Sequence, residues 1–93
     1  MNDETEIAIA IKYDKEKDTA PRIVAKGMRL KAEKIREIAK QYNIPIMKNV
    51  GLANALYRID VGNEVPEELY DAVAEVLNFV YALQQEQQSG GRR

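Results

Sequence analysis

The first residues with a clear pattern alternate between large and small apolar side chains. Ile7, Ile9 and Ile11 occupy every second position, and Ala8 and Ala10 lie between them. A period of two predicts a β-strand. One face of this strand would be bulky, and the other would be small enough for a helix to pack closely against it.

A second strand is predicted shortly after a polar turn. Residues 22–26 form a short β-type run that Gly27 would end. The two runs therefore predict a hairpin-like pair. Segments 44–47 and 58–61 also have strand character. Pro45 lacks a backbone N–H, so it would lie either in a strand at a sheet edge or among the first residues of its strand.

Helical spacing follows in three places. Between residues 28 and 42, apolar side chains recur at i, i+3, i+4 and i+7, which predicts an amphipathic helix that Asn43 can end in the left-handed conformation. Asn49 can cap a short helix that runs to Tyr57. Pro66 can open a long final helix whose first turn carries two glutamates, which are favourable at a helix N-terminus. The apolar stripes comprise Ile35, Ile38, Ala39 and Tyr42 in the first helix and Leu69, Val73, Val76, Leu77, Val80 and Leu83 in the last.

These elements predict an α/β fold in which a small mixed four-stranded sheet packs with about three helices in a single domain. The domain would span residues 1–83, with a flexible start over residues 1–5. Residues 84–93 would form a polar, mobile tail because they lack apolar periodicity.

The amino-acid composition excludes several kinds of chemistry. The chain contains no cysteine and no histidine. It therefore lacks thiolate nucleophiles, the two commonest transition-metal ligands and the usual base at neutral pH. We expect a protein that is not an enzyme and that needs no metal and no cofactor.

The distribution of charged and apolar residues argues against nucleic acid and membranes as binding partners. Fourteen Lys and Arg residues are scattered among fifteen Asp and Glu residues, so no basic stripe predicts binding to nucleic acid. The first residues are acidic, unlike a secretory signal, and no apolar stretch approaches the roughly 18 residues of a membrane span. We expect a cytoplasmic monomer that does not insert into a membrane.

Several segments, taken together, resemble a known family. In this order and spacing they are similar to the C-terminal cytoplasmic domain of the FlhB/YscU/SpaS/EscU family, the export switch proteins of flagella and type III secretion systems. The resemblance covers about residues 6–83 and does not include the family's membrane helices. The motif sequences are more similar to those of the flagellar members. The segments are residues 10–14, 20–21, 24–27, 35–39, 43–46, 52–57, 65–70 and 72–77.

The resemblance implies partners in protein export. In the family, this domain receives export subunits and communicates with the FlhA gate component and with the hook-length control protein. Similar partners, including rod- or hook-type subunits, are implied here, with recruitment to the export apparatus at the inner membrane.

The resemblance also implies a small apolar docking patch for subunit signals. The matching positions are Ala20, Pro21, Ala74 and Leu77. Ala20 and Pro21 lie in a predicted turn, where we expect exposure to solvent. Leu77 fits the core stripe of the final helix as well as it fits a binding surface.

The family's self-cleavage motif is degenerate in this chain. Family members are cut between Asn and Pro of an Asn-Pro-Thr-His motif just before the first strand, and the two pieces stay together. The aligned residues here are Asp3, Glu4, Thr5 and Glu6, so only the threonine matches. The Asn amide is the nucleophile of that cut, and an ionised carboxylate replaces it poorly. We expect no autocleavage and a chain that resembles a separately made copy of the cleaved fragment.

The leading hypothesis is a non-enzymatic binding module of the export apparatus. It would substitute for, or compete with, the cleaved C-terminal fragment of FlhB in subunit recognition and substrate-specificity switching. One alternative is slow residual self-cleavage at Asn2 or Asp3. Another is a cytoplasmic adaptor unrelated to secretion that keeps the fold. The edge of the first strand could also accept an extended peptide.

Overall fold

The computed structural model describes residues 6–14 and 16–79. Within this part of the chain the first two predicted strands and the three predicted helices occur in the predicted order, whereas the two further predicted strands do not form. Residues 1–5 and 80–93 lie outside it, and so do the flexible start and the polar tail predicted for the two ends. The elements are β1 (Ile7–Lys12), β2 (Arg22–Met28), α1 (Leu30–Gln41), α2 (Val50–Tyr57), a 3₁₀ turn (Glu67–Leu69) and α3 (residues 70–79).

β1 and β2 pair in the antiparallel direction, and a bulge interrupts the pairing. Ala10 lies opposite Ala25, whereas the next residue, Ile11, lies opposite Ile23. Val24 is therefore the extra residue. Without the bulge, Ile11 and Ile23 would not share a face of the sheet. The bulge brings both isoleucines to the core side and leaves Val24 exposed.

α1 packs on the small face of the sheet. Gly27 lies opposite Ala8, so both residues belong to this face. A Cβ atom built on Gly27 would lie 2.5 Å from Lys31 Cγ, which shows how closely α1 approaches the strand. Ala32 of α1 is completely buried. The close helix packing predicted from the alternating alanines is confirmed.

α2 packs on the opposite, bulky face. Lys26 lies opposite Ile9 on this face. Its ammonium group donates hydrogen bonds to the carbonyl oxygens of Tyr57, at 2.7 Å, and Ile59, at 2.9 Å. A positive charge at the C-terminus of a helix favours the unpaired carbonyls there. Lys26 therefore attaches the end of α2 to the sheet.

The hydrophobic core fills the space between the bulky face, α2 and α3. Its centre consists of five buried residues: Ile23, Leu52, Leu56, Val65 and Val73. Partly buried side chains surround them: Ile9, Ile11, Ile59, Leu69, Ala72, Val76 and Leu77. The prediction that the stripe of the last helix packs in the core is confirmed for its described members.

The predicted stripe of α1 is buried only in part: Ile35 and Ala39 are half-buried, but the prediction is wrong for the other two members. Ile38 is 44% exposed and Tyr42 is 72% exposed, whereas Ala32 has no exposed surface. The small face of the sheet brings the helix too close for bulky side chains at the line of contact. Alanine occupies that line, and the larger apolar residues lie on the flank.

Local signals at the helix ends are confirmed. Asn43 has a φ of 57°, in the left-handed region expected for a residue that ends a helix. Asn49 Oδ1 accepts a hydrogen bond from Leu52 N–H at 3.0 Å, which caps α2. The 3₁₀ turn begins at Glu67, directly after Pro66. α1 starts at Leu30, later than predicted, because β2 continues through Gly27 to Met28.

The prediction of a mixed four-stranded sheet is not confirmed. The described residues form a two-stranded antiparallel sheet, and segments 44–47 and 58–61 are not strands. Residues 44–49 connect α1 on one face with α2 on the other. Residues 58–61 are held as a turn, in which Ile59 accepts the bond from Lys26.

A short irregular segment takes the place of the missing neighbour of β2. The N–H of Ile23 donates to Asn63 O at 3.1 Å, the N–H of Gly62 donates to Ile23 O at 2.7 Å, and the N–H of Val65 donates to Pro21 O at 2.8 Å. These bonds include one isolated bridge and do not extend into a strand. Residues 62–65 therefore cover the first half of the outer edge of β2.

Candidate functional site

The first half of the predicted docking patch differs from expectation. Ala20 is only 3% exposed, so the prediction that it is accessible is wrong. The neighbouring Pro21 accepts the hydrogen bond from Val65 and is half-buried. Residues 62–65 pair with the start of β2 and bond to Thr19 and Pro21, the residues on either side of Ala20. Ala20 is therefore a buried residue of this turn and not part of its accessible surface.

The second half of the patch lies on α3. Ala74 is exposed, whereas Leu77 is half-buried and contacts the core. Tyr70 precedes Ala74 by four residues, lies on the same helix face and is 39% exposed. The accessible part of this half is therefore Ala74 with Tyr70, and Leu77 belongs partly to the core. Tyr70 was not among the predicted site residues, although its spacing from Ala74 could have indicated it.

Val65 connects the two halves of the patch. Its backbone N–H bonds to Pro21, while its side chain is buried in the same cluster as Val73, the residue before Ala74. Val65 therefore links the turn that holds Pro21 to the helix that holds Ala74. This arrangement agrees with a continuous surface, and the docking role of its residues stays a prediction.

A polar rim borders the Pro21 half of the patch. Arg22 Nη1 donates to Gly62 O at 2.8 Å, and Arg22 Nη2 lies 3.6 Å from Glu64 Oε2. Thr19 Oγ1 donates to the same carboxylate oxygen at 3.2 Å. Exposed pairs of this kind add little stability but orient the chain. Sequence reasoning missed this rim because its partners are 40 or more positions apart.

Glu6, the last residue of the degenerate cleavage motif, is tied to α1. Its Oε2 lies 2.7 Å from Arg36 Nε, and its backbone oxygen accepts a hydrogen bond from Arg29 N–H at 2.9 Å. The Arg36 contact is an ion pair and lacks the alignment of a hydrogen bond. Glu6 therefore anchors the start of β1. Asp3, Glu4 and Thr5 lie outside the described residues.

Residues 6–14 and 16–79 contain neither a metal-binding cluster nor a membrane-spanning helix. No group of three or more acidic side chains in this part of the chain is arranged to hold a metal ion. None of its helices is both long enough and apolar enough to cross a membrane.

The chain matches a known protein family over most of its length. The model of the FlhB HrpN YscU SpaS family matches residues 2–80. The chain belongs to this family. The match includes β1, β2, all three helices and every residue of the predicted docking patch, and this agrees with the resemblance found in the sequence.

Individual FlhB-family proteins are similar over most of the chain. The flagellar biosynthetic protein FlhB of Escherichia coli K12 is 44% identical over 94 residues, a region that covers 100% of this chain and 25% of that protein. The chain thus spans about a quarter of the length of that relative. The crystal structure of the cytoplasmic domain of FlhB from Shewanella putrefaciens matches with a TM-score of 0.85 and 42% identity, over 90% of this chain and 66% of that one.

A shorter relative also matches. The uncharacterised protein YlqH of Bacillus subtilis is 38% identical over 85 residues, which cover 89% of this chain and 91% of YlqH. YlqH therefore corresponds to this domain over nearly its whole length.

Proposed function

We propose that this chain is a non-enzymatic docking module of the flagellar or type III export apparatus. The observation that carries the proposal is the family match over residues 2–80. The module binds export subunits and takes part in substrate-specificity switching. Its partners are rod- or hook-type subunits, an FlhA-like gate component and the hook-length control protein.

The module substitutes for, or competes with, the C-terminal part of a full-length FlhB. YlqH supports this part of the proposal, because a relative of similar length matches the domain without the remainder of FlhB. The high similarity to FlhB itself also supports it, since a copy that keeps the binding surface can occupy the same partners. Its place of action is the cytoplasmic side of the export apparatus.

The docking surface consists of Pro21, Ala74 and the exposed part of Leu77, extended by Tyr70. Ala20 contributes by holding the turn in place from its buried position. An apolar centre with a polar rim at Arg22 and Glu64 has the composition of a protein interface. Its small number of residues favours weak, reversible binding. Such an interface suits subunits that must be released again.

Competition for a labelled subunit tests this proposal. We expect the wild-type chain to displace a fluorescent rod or hook subunit from an FlhB cytoplasmic domain of the same organism. Ala74→Asp should weaken this displacement about tenfold, because a carboxylate enters the centre of the apolar surface. Asn54→Asp adds the same charge on the exposed surface of α2 and should leave displacement unchanged. Equal displacement by all three proteins would show that the subunit does not bind at the proposed surface.

Self-cleavage is the alternative that one measurement can separate from docking. We expect a single species of full-length mass after prolonged incubation at neutral pH, because Asp3 and Glu4 replace the Asn and Pro of the family motif. Intact-mass spectrometry makes this measurement. A product shortened at Asn2 or Asp3 would establish residual cleavage and contradict the proposal that the chain performs no reaction.

A further inference from the structure

A second apolar surface lies on the connection between α1 and α2. It shares no residue with the docking patch and does not depend on a function in export. Ile44, Ile46 and Met47 are exposed, and Val50, the first residue of α2, is 65% exposed. Ile38 and Tyr42 extend the apolar character onto the flank of α1. Half of the exposed large apolar residues of the described chain thus fall between residues 38 and 50.

The middle of this connection also has unpaired backbone N–H groups. Ile44 N–H donates to Ala39 O at 2.8 Å, and Asn49 O accepts from Ala53 N–H at 3.0 Å, so both ends are fixed. Between them, the N–H groups of Ile46, Met47 and Lys48 have no protein hydrogen-bond acceptor among the described residues. An apolar segment with free backbone groups and fixed ends is a template for strand addition.

The sequence of the segment favours an extended conformation. The run Ile-Pro-Ile-Met at residues 44–47 is a short, continuous apolar run of the kind that predicts a strand, although Pro45 has no N–H to donate. In the structure it has no neighbouring strand. The strand propensity, the exposed side chains and the unpaired N–H groups therefore coincide in one place.

The charge around this segment favours one kind of binding partner. Lys40 and Lys48 are the charged residues between positions 38 and 50, and this stretch contains no acidic residue. The whole chain has a net charge of −1, whereas this stretch is positively charged. A second copy of the same segment would oppose lysines to lysines. An acidic segment would pair with both.

We propose that residues 44–48 bind an extended acidic peptide of a partner protein by strand addition. The peptide pairs with the free backbone groups of the segment. Its aliphatic side chains contact Ile44 and Ile46, and its carboxylates lie near Lys40 and Lys48. This surface gives the domain a second binding specificity, separate from that of the docking patch.

Synthetic peptides test the proposal without any export component. The probe is a fluorescein-labelled ten-residue peptide of alternating Glu and Val, and its control has Lys in place of Glu. We expect the Glu peptide to bind about tenfold more tightly than the Lys peptide, through two exposed ion pairs, and to weaken as salt is added. A Glu peptide methylated on alternate backbone nitrogens should lose binding, because it cannot pair as a strand.

Variants and mapping determine where the peptide binds. The double variant Lys40→Glu with Lys48→Glu should reverse the preference, whereas Lys17→Glu with Lys34→Glu makes the same charge change on exposed residues elsewhere and should not. Amide NMR shifts should change at residues 44–48. Equal binding of the Glu and Lys peptides, full binding by the methylated peptide, or shifts at β1 instead would each overturn the proposal. Dimerisation through this segment in sedimentation equilibrium would also overturn it.

Discussion

Replacing Ala20 with aspartate should lower the free energy of unfolding by about 3 kcal/mol or more. Ala20 is 3% exposed, and the next residue, Pro21, is bonded to Val65. A carboxylate at this position must lose its hydration or open the turn, and either change destabilises the fold. Urea denaturation followed by circular dichroism measures the effect.

Ala74→Asp is the matched control, because it places the same carboxylate on the exposed half of the patch. Its free energy of unfolding should stay within about 1 kcal/mol of wild type, since an exposed helix position tolerates a polar residue. Wild-type stability in Ala20→Asp would show that the turn is open in solution, contrary to the structure. Only Ala74→Asp can therefore separate lost binding from lost folding.

Replacing Gly27 with alanine should destabilise the domain by about 1–3 kcal/mol. The new Cβ would lie 2.5 Å from Lys31 Cγ and 2.7 Å from Lys31 Cβ, so moving the far end of the lysine cannot relieve the clash. α1 must move away from the small face of the sheet. Thermal or urea denaturation gives the magnitude.

Gly51→Ala provides the opposite expectation at a second glycine. Gly51 lies in α2, and the nearest atom to an added Cβ is Asn49 Oδ1 at 3.9 Å. Alanine there removes backbone freedom from the unfolded chain without a clash and should stabilise the domain by about 0.5 kcal/mol. Equal and small effects of the two substitutions would contradict the close packing of α1 on the sheet.

Local signals in the sequence were sufficient for much of the fold. The alternation at Ile7, Ile9 and Ile11 predicted β1 and its two unequal faces, because strand periodicity depends on neighbouring residues alone. Asn43 and Asn49 predicted helix boundaries for the same reason, since each acts on a backbone group within one turn. The order of motifs also identified the family, which the match over residues 2–80 confirms.

The remaining features depend on contacts that local patterns do not contain. The stripe of α1 predicted Ile38 and Tyr42 at the core, but the small face of the sheet selects Ala32. The exposure of Ala20 was predicted wrongly because the segment that bonds to its neighbours Thr19 and Pro21 lies more than 40 residues later in the chain. Residues 44–47 have the pattern of a strand but no neighbour to pair with in the described structure.

Titration of the wild-type chain with purified rod or hook subunits tests the central claim most directly. We expect saturable, weak binding at one site, retained by Asn54→Asp and reduced in a folded Ala74→Asp. If the folded wild-type chain does not bind these subunits while an FlhB cytoplasmic domain of the same organism binds them, the chain is not a docking module for export.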